Sequence, residues 1–168
     1  METHYDIKPL SLVHAQALTK WFNLFVDQDL GIVENFHVSV QSEIEYISQY
    51  SSDIGNGKPL SYVILHNREI VGKSDIRPLP RDIDKHVVEL GFGLLDGHTK
   101  AGEQLLTFMM EEVKRRGFEI ALYFILGRNR HFRNLFKNVG FQEVGRISKF
   151  YKRNGVYDDR IILERNLM

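Results

Sequence analysis

Glu89 to Gly102 reads ELGFGLLDGHTKAG. Its periodicity changes part-way along, and that change sets the architecture of the chain. His86 to Leu95 is an apolar run that stops at Asp96-Gly97, as a strand does. From Thr99 to about Arg116, Leu105, Leu106, Met109, Met110 and Val113 recur at i, i+1, i+4, i+5 and i+8, the spacing of one buried helical stripe. Between the two lies a short loop, Asp96 to Lys100, with little bulk at Gly97 and, just inside the helix, at Ala101 and Gly102. A helix start carries backbone N–H groups without an internal partner, together with the positive end of the macrodipole. Small residues there let an anion come close. The turn therefore reads either as a phosphate cradle or as an ordinary strand-to-helix connection.

Before this stretch, Tyr5 to Leu10 reads as a short strand. Ser11 is an N-cap residue for an amphipathic helix, Leu12 to about Asp27, with Val13, Ala17, Leu18, Trp21, Phe22 and Phe25 inward. Ser39 caps a second helix, Val40 to Tyr50, with Val40, Ile44 and Ile47 inward. Asp53-Ile54-Gly55-Asn56-Gly57 is a turn-rich loop. Leu60 to His66 and Glu69 to Ile76 flank Asn67-Arg68 as a hairpin, closed by Pro78 and Pro80. After the central helix, Gly117 is a C-cap. Glu119 to Leu126 (EIALYFIL) reads as a strand buried on both faces. Asn129 caps a helix with Phe132, Leu135, Phe136 and Val139 on one face, stopped by Gly140. Phe141 to Arg153 and Val156 to Leu167 flank Asn154-Gly155, a strong hairpin signal. Strands with helices interleaved late in the chain give an α/β fold: a mixed, mostly antiparallel seven-stranded sheet with flanking helices.

Composition narrows the function. At 168 residues, with 43% hydrophobic and 26% charged residues, the chain is expected to form a single globular domain over 1–168. The formal net charge is zero, so nothing drives it toward nucleic acid or an anionic membrane. There is no cysteine, which excludes disulfides, zinc-thiolate sites and cysteine nucleophiles and agrees with a cytoplasmic location. The seven histidines show no ligand spacing, so no metal is expected. METHYDIKPL has no basic region followed by an apolar run, and no apolar stretch approaches the roughly 20 residues of a membrane span.

Four pieces of the chain, in order, carry a resemblance: YDIKPLSLVHAQALTKWFN, VELGFGLLDGHTKAGEQLL, NRHFRNLFKNVGF and RNGVYDDRIIL. Together they resemble the GCN5-related N-acetyltransferase (GNAT) superfamily, and within it the branch that acetylates ribosomal-protein N-termini. The resemblance implies a V-shaped sheet whose fourth and fifth strands splay around the pantetheine arm of acetyl-CoA, used as a co-substrate. It implies that the pyrophosphate sits on the turn Gly97, His98, Thr99, Lys100, Ala101, Gly102 and Glu103. Backbone groups at Phe92, Leu94 and Leu95 would pair with pantetheine, one N–H polarising the thioester carbonyl. Asn129 would hydrogen-bond the cofactor, Arg130 or Arg133 would reach its phosphates, and Phe136 would flank it. Glu89, on the fourth strand, takes the place of the family's general base and would deprotonate the acceptor amine through a water.

Two places depart from the family pattern. Its phosphate loop usually reads Gln/Arg-x-x-Gly-x-Gly/Ala, whereas Gly97 to Gly102 matches only at the last glycine, and Lys100 stands where a glycine approaches phosphate. Phe136 stands where the family often has a tyrosine that protonates the departing thiolate. The acceptor would be an amine, a small molecule or a protein N-terminus. Asp27 to Val38 and the last hairpin would select it, with Asp29, Glu34, Asp158 and Asp159 suited to a cation and Tyr151 and Tyr157 lining the pocket. Family members are often dimers, which makes a homodimer one expectation. Two other readings stay open: an acyl-CoA-binding sensor or interaction module without transfer, and the fold with neither.

Overall fold

The computed structural model describes residues 3–29, 31, 36–52 and 57–168. Its elements are β1 (Asp6–Pro9), a 3-10 turn (Leu12–His14), α1 (Ala15–Asp27), α2 (Val40–Tyr50), β2 (Ser61–His66), β3 (Glu69–Pro78), β4 (Val87–Leu94), α3 (Thr99–Arg115), β5 (Ile120–Leu126), α4 (Arg130–Asn138), β6 (Gln142–Arg153) and β7 (Val156–Asn166). The strands form one seven-stranded sheet in the order β1-β2-β3-β4-β5-β7-β6. β4 and β5 pair in parallel, Val87 to Glu89 against Ile120 to Leu122, with α3 as the crossover that a parallel pair requires. β1–β2, β2–β3, β5–β7 and β6–β7 are antiparallel. This is the mixed, mostly antiparallel α/β sheet expected from the sequence. The turn at Asp53 to Asn56 lies outside the described residues.

The hairpin turns follow from their residues. Asn67 and Arg68 have φ of 50° and 68°, and Asn154 and Gly155 have φ of 51° and 79°. Positive φ at both central residues closes a two-residue hairpin with the hand of twist its strands need, and asparagine and glycine tolerate it best. Three expectations change. Val13 is exposed, because the chain enters α1 through a 3-10 turn, which gives it a different phase from the helix. Val40 is also exposed, at the first residue of α2. β5 is not buried on both faces: Ala121, Tyr123 and Ile125 are buried, whereas Leu122 and Phe124 on the alternate face are half-buried. β3 runs on through Pro78, past Ser61↔Asp75 where its pairing with β2 begins, so the donor that proline lacks is not needed there.

The chain packs as two compact units, Met1–Ile76 with Gly91–Leu105, and Arg77–Leu90 with Leu106–Met168. In the first, Leu18, Trp21 and Phe25 of α1 and Ile47 of α2 are buried, and Trp21 stacks on Phe25 with centroids 5.3 Å apart. A β-carbon built at Gly93 would lie 2.8 Å from the Trp21 ring, so glycine is what lets α1 approach β4. In the second, Leu106, Met109, Met110 and Val113 of α3 are buried, completing the stripe read from the sequence. Phe136 of α4 is fully buried and stacks on Tyr123 at 4.0 Å and edge-on against Phe141 at 5.0 Å.

Candidate functional site

The first unit holds β4's C-terminal half, the loop and the start of α3. Leu95 N–H donates to Val71 O at 2.9 Å, and, nearer the strand's start, Val87 O accepts from Leu79 N–H at 3.1 Å. The odd-numbered residues of β4 thus turn their backbone groups toward β3. Strand alternation turns those of Phe92 and Leu94 to the opposite edge. Asp96 N–H donates to Gln28 Oε1 at 3.1 Å, tying the loop to the end of α1. Gly97 has φ of 82° and open space where a side chain would stand. Gly102 N–H donates to His98 O at 3.1 Å and closes the first turn of α3. Ala101 and Gly102 are buried, Glu103 is half-buried, and Thr99 and Lys100 are exposed.

His98 turns inward. Its ring packs near Tyr5 at 6.4 Å and His66 at 6.0 Å, and its Nδ1 is buried without a hydrogen-bond partner. Burial, and then the neighbouring His66, hold its imidazole below the usual histidine range, which leaves it neutral at pH 7. With Leu95, Trp21, Lys20 and Arg68 it lines a cavity of about 590 Å³ between α1 and the β2–β3 hairpin.

The second unit holds Glu89 and the α4 start. Glu89 projects from β4 with a side chain 31% exposed, its Oε1 3.5 Å from Arg77 Nη1. It is a half-buried, ion-paired carboxylate. Asn129 caps α4, its Oδ1 accepting from Phe132 N–H at 3.1 Å. Arg130 is exposed. Arg133 turns back, donating to Gly127 O at 3.3 Å and Glu143 Oε2 at 3.0 Å.

The acids of the last hairpin are engaged with the hairpin and with Arg128. Asp158 Oδ1 accepts the backbone N–H of Asp159 at 2.8 Å and of Arg128 at 3.3 Å. Asp159 accepts from Lys149 N–H and from Arg146 Nη1, both at 2.9 Å. Those bonds hold a bulge in β6, where pairing with β7 slips between Ile147 and Tyr151 and Lys149 has φ of 55°. In a regular strand Phe150 and Tyr151 would point to opposite faces; here their rings meet edge-on at 4.9 Å. Arg160, which sequence reasoning passed over, lies with its guanidinium 3.6 Å from the Phe124 ring centroid and 4.7 Å from that of Phe150. Burial raises the Tyr151 phenol above its usual range, opposed by Arg160 and reinforced by Glu89 and Asp158. Tyr157 is exposed. Glu34, with the rest of 32–35 and residue 30, lies outside the described residues.

No protein-family model and no curated protein matches the sequence. Solved structures do match along nearly the whole chain. An N-acetyltransferase from Staphylococcus aureus Mu50 superposes with a TM-score of 0.85 at 16% identity, covering 99% of this chain and 100% of that one. A ribosomal-protein-alanine N-acetyltransferase from Brucella melitensis gives 0.83 at 20% identity, covering 96% and 99%. A GNAT-superfamily phosphinothricin acetyltransferase from Sinorhizobium meliloti, solved with acetyl-CoA, gives 0.81 at 19% identity, covering 96% and 88%. The fold is the GNAT fold. On it, Glu89, Tyr151 and Arg160 stand in one unit, and the Gly97–Glu103 turn with the outward edge of β4 in the other.

Proposed function

We propose that this chain is an acetyl-CoA-dependent N-acetyltransferase that transfers acetyl directly to a primary amine in a ternary complex. The observation that carries the reading is Glu89, a half-buried carboxylate on β4 of a GNAT fold, opposite Leu122 of β5. Acetyl-CoA, when bound, supplies an acetyl group already activated as a thioester. The chain's own residues do the rest. Outward-facing backbone groups of Phe92 and Leu94 pair with the pantetheine arm, and one N–H polarises the thioester carbonyl. Removing such a donor typically costs about 3 kcal/mol. The Leu95 amide is used by β3 and takes no part in that pairing.

The residues at the α3 start fit a pyrophosphate. Gly97 leaves open space, Ala101 and Gly102 add no bulk, and Lys100 is exposed, so its charge is available to an anion. The neutral His98 offers at most an N–H donor. Of the two α4 cations Arg133 is engaged by Glu143 and Arg130 is exposed, so the phosphate role is assigned to Arg130. Phe136 gives no proton, but a thiol of pKa about 8.5 leaves as thiolate near neutrality. Glu89 takes the proton of the acceptor ammonium through a water, an amine of pKa about 8 to 10 being largely protonated at pH 7.

A thermal melt with acetyl-CoA, CoA and ATP tests the cofactor. Ligand at 100 times its Kd adds about 2.7 kcal/mol, a shift of about 5–10 °C. Acetyl-CoA and CoA are expected to give it and ATP is not; no shift with any of them overturns the reading. Glu89→Gln is expected to keep that shift while lowering kcat about 100-fold or more. An unchanged kcat/KM at every pH would remove Glu89 from its role. A shift without transfer across an amine panel would select the acyl-CoA-binding module, the reading that Phe136 favours.

A further inference from the structure

Arg160, on β7 in the second unit, lies against aromatic rings rather than against a carboxylate. Its guanidinium lies 3.6 Å from the Phe124 ring centroid and 4.7 Å from that of Phe150, its Nε is buried without a hydrogen bond, and among the described residues no carboxylate pairs with it. Of the acids near it in sequence, Asp158 Oδ1 accepts from the Asp159 and Arg128 backbone with Oδ2 3.5 Å from Arg128 Nε, and Asp159 accepts from Lys149 and Arg146. The hairpin acids expected to attract a cationic amine instead build the bulge that turns Phe150 toward Arg160.

A guanidinium this close to two rings is restrained in position, and its N–H donors lie in one plane. That geometry matches the two oxygens of a carboxylate, and the rings thin the water that would weaken the bond. By register Glu89 stands opposite Leu122 and Arg160 opposite Leu126, which puts the base and the guanidinium on the same face of β5. Leu122 and Phe124, half-buried on the open face of β5, supply apolar surface beside them.

We propose that Arg160 binds a carboxylate on the acceptor, so that the substrate class is small amines carrying a carboxylate, such as free amino acids, with the amine directed to Glu89. The proposal rests on the acetyltransferase reading and names its acceptor. Arg160 forms a two-pronged hydrogen bond to the carboxylate, Phe124 and Phe150 hold the fork, and Tyr151 closes the space between carboxylate and amine.

The test compares free amino acids with their carboxamides, which keep the amine and lose the charge. The wild-type protein is expected to prefer the acids by about 10-fold or more in kcat/KM, mainly through KM. Arg160→Gln should lower kcat/KM for the acids about 10–100-fold and leave the amides within about twofold. Arg160→Lys keeps a charge but loses the fork, and should recover only part of the preference. Phe150→Leu, which removes one of the two rings beside Arg160, should weaken the preference without touching a charge, and it serves if Arg160→Gln does not fold. Equal use of acids and amides, or a preference that survives Arg160→Gln and Phe150→Leu, overturns the proposal. The same pairs are read by thermal shift in the presence of CoA. If no amine is acetylated, the enzyme reading fails, and the shift still decides: acid-dependent stabilisation that Arg160→Gln abolishes upholds the carboxylate site, and its absence removes it.

Discussion

At Lys73 a positive charge is held almost out of water. Its side chain is 10% exposed, and Nζ donates to Asp75 Oδ1 and to Tyr46 Oη at 2.9 Å, with the ammonium 4.9 Å from the Tyr46 ring centroid. Ser61 Oγ donates to the same Asp75 oxygen at 2.7 Å. Burial pulls the ammonium's pKa down, but Asp75 and Tyr46 outweigh it and the net shift is upward, so Lys73 stays charged. A buried pair is weak evidence of net stabilisation, yet removing one member leaves the other uncompensated. Lys73→Met is therefore expected to cost about 3–5 kcal/mol and to lower Tm by about 10 °C. Lys73→Met with Asp75→Leu should recover most of the loss. Thermal melts of both variants check this, and a single-mutant loss below about 2 °C would mean that the pair is effectively solvated.

At the scale of the element, the α1–β4 contact depends on one missing side chain. Alanine at Gly93 would bring its β-carbon to 2.8 Å and 2.9 Å from two Trp21 ring atoms and 3.3 Å from Phe25, and Trp21 is itself buried and stacked. Neither ring is the flexible end of a chain that swings aside. Gly93→Ala is expected to destabilise by about 1–3 kcal/mol through overpacking, read as a lower urea midpoint with unchanged slope. Gly97→Ala is the useful contrast: no atom crowds it, and its cost comes only from φ of 82°. The outcome that sinks the account is a Gly93→Ala midpoint equal to the wild type.

At the scale of the whole molecule, resistance to acid has a nameable contributor. Burial pushes the Glu112 carboxyl up, but hydrogen bonds from Arg115 and Arg116 more than reverse this and hold it below the usual range. A folded pKa below the unfolded one means that the unfolded chain binds the proton more readily. The stability from Glu112 is therefore complete above the ordinary carboxylate range and is lost as pH falls through the folded pKa. Glu112→Gln should destabilise the protein at pH 7 and converge with the wild type in acid. A stability difference that is flat with pH would assign Glu112 a packing role instead. Glu43 works in the opposite sense: burial raises its carboxyl, with Lys73 opposing, so its contribution declines as pH rises past the carboxylate range.

Element order, the helical stripe of α3, the Asn129 cap and both hairpin turns are legible in the residues, because they rest on periodicity and φ preference within a few positions. So is Glu89 as a polar residue on an apolar strand. Neither signal says which neighbour a side chain will find. Asp158 and Asp159 read as cation-binding acids, and only the fold commits Asp158 to the Arg128 backbone and Asp159 to that of Lys149. Arg133 reads as a phosphate cation, and only folding sets Glu143 beside it. The bulge at Lys149 breaks the period of two, so no pattern places Phe150 and Tyr151 on one side, and none brings Phe124 from β5 onto Arg160. These contacts join residues of different strands, and their energy exists only once the strands are in register.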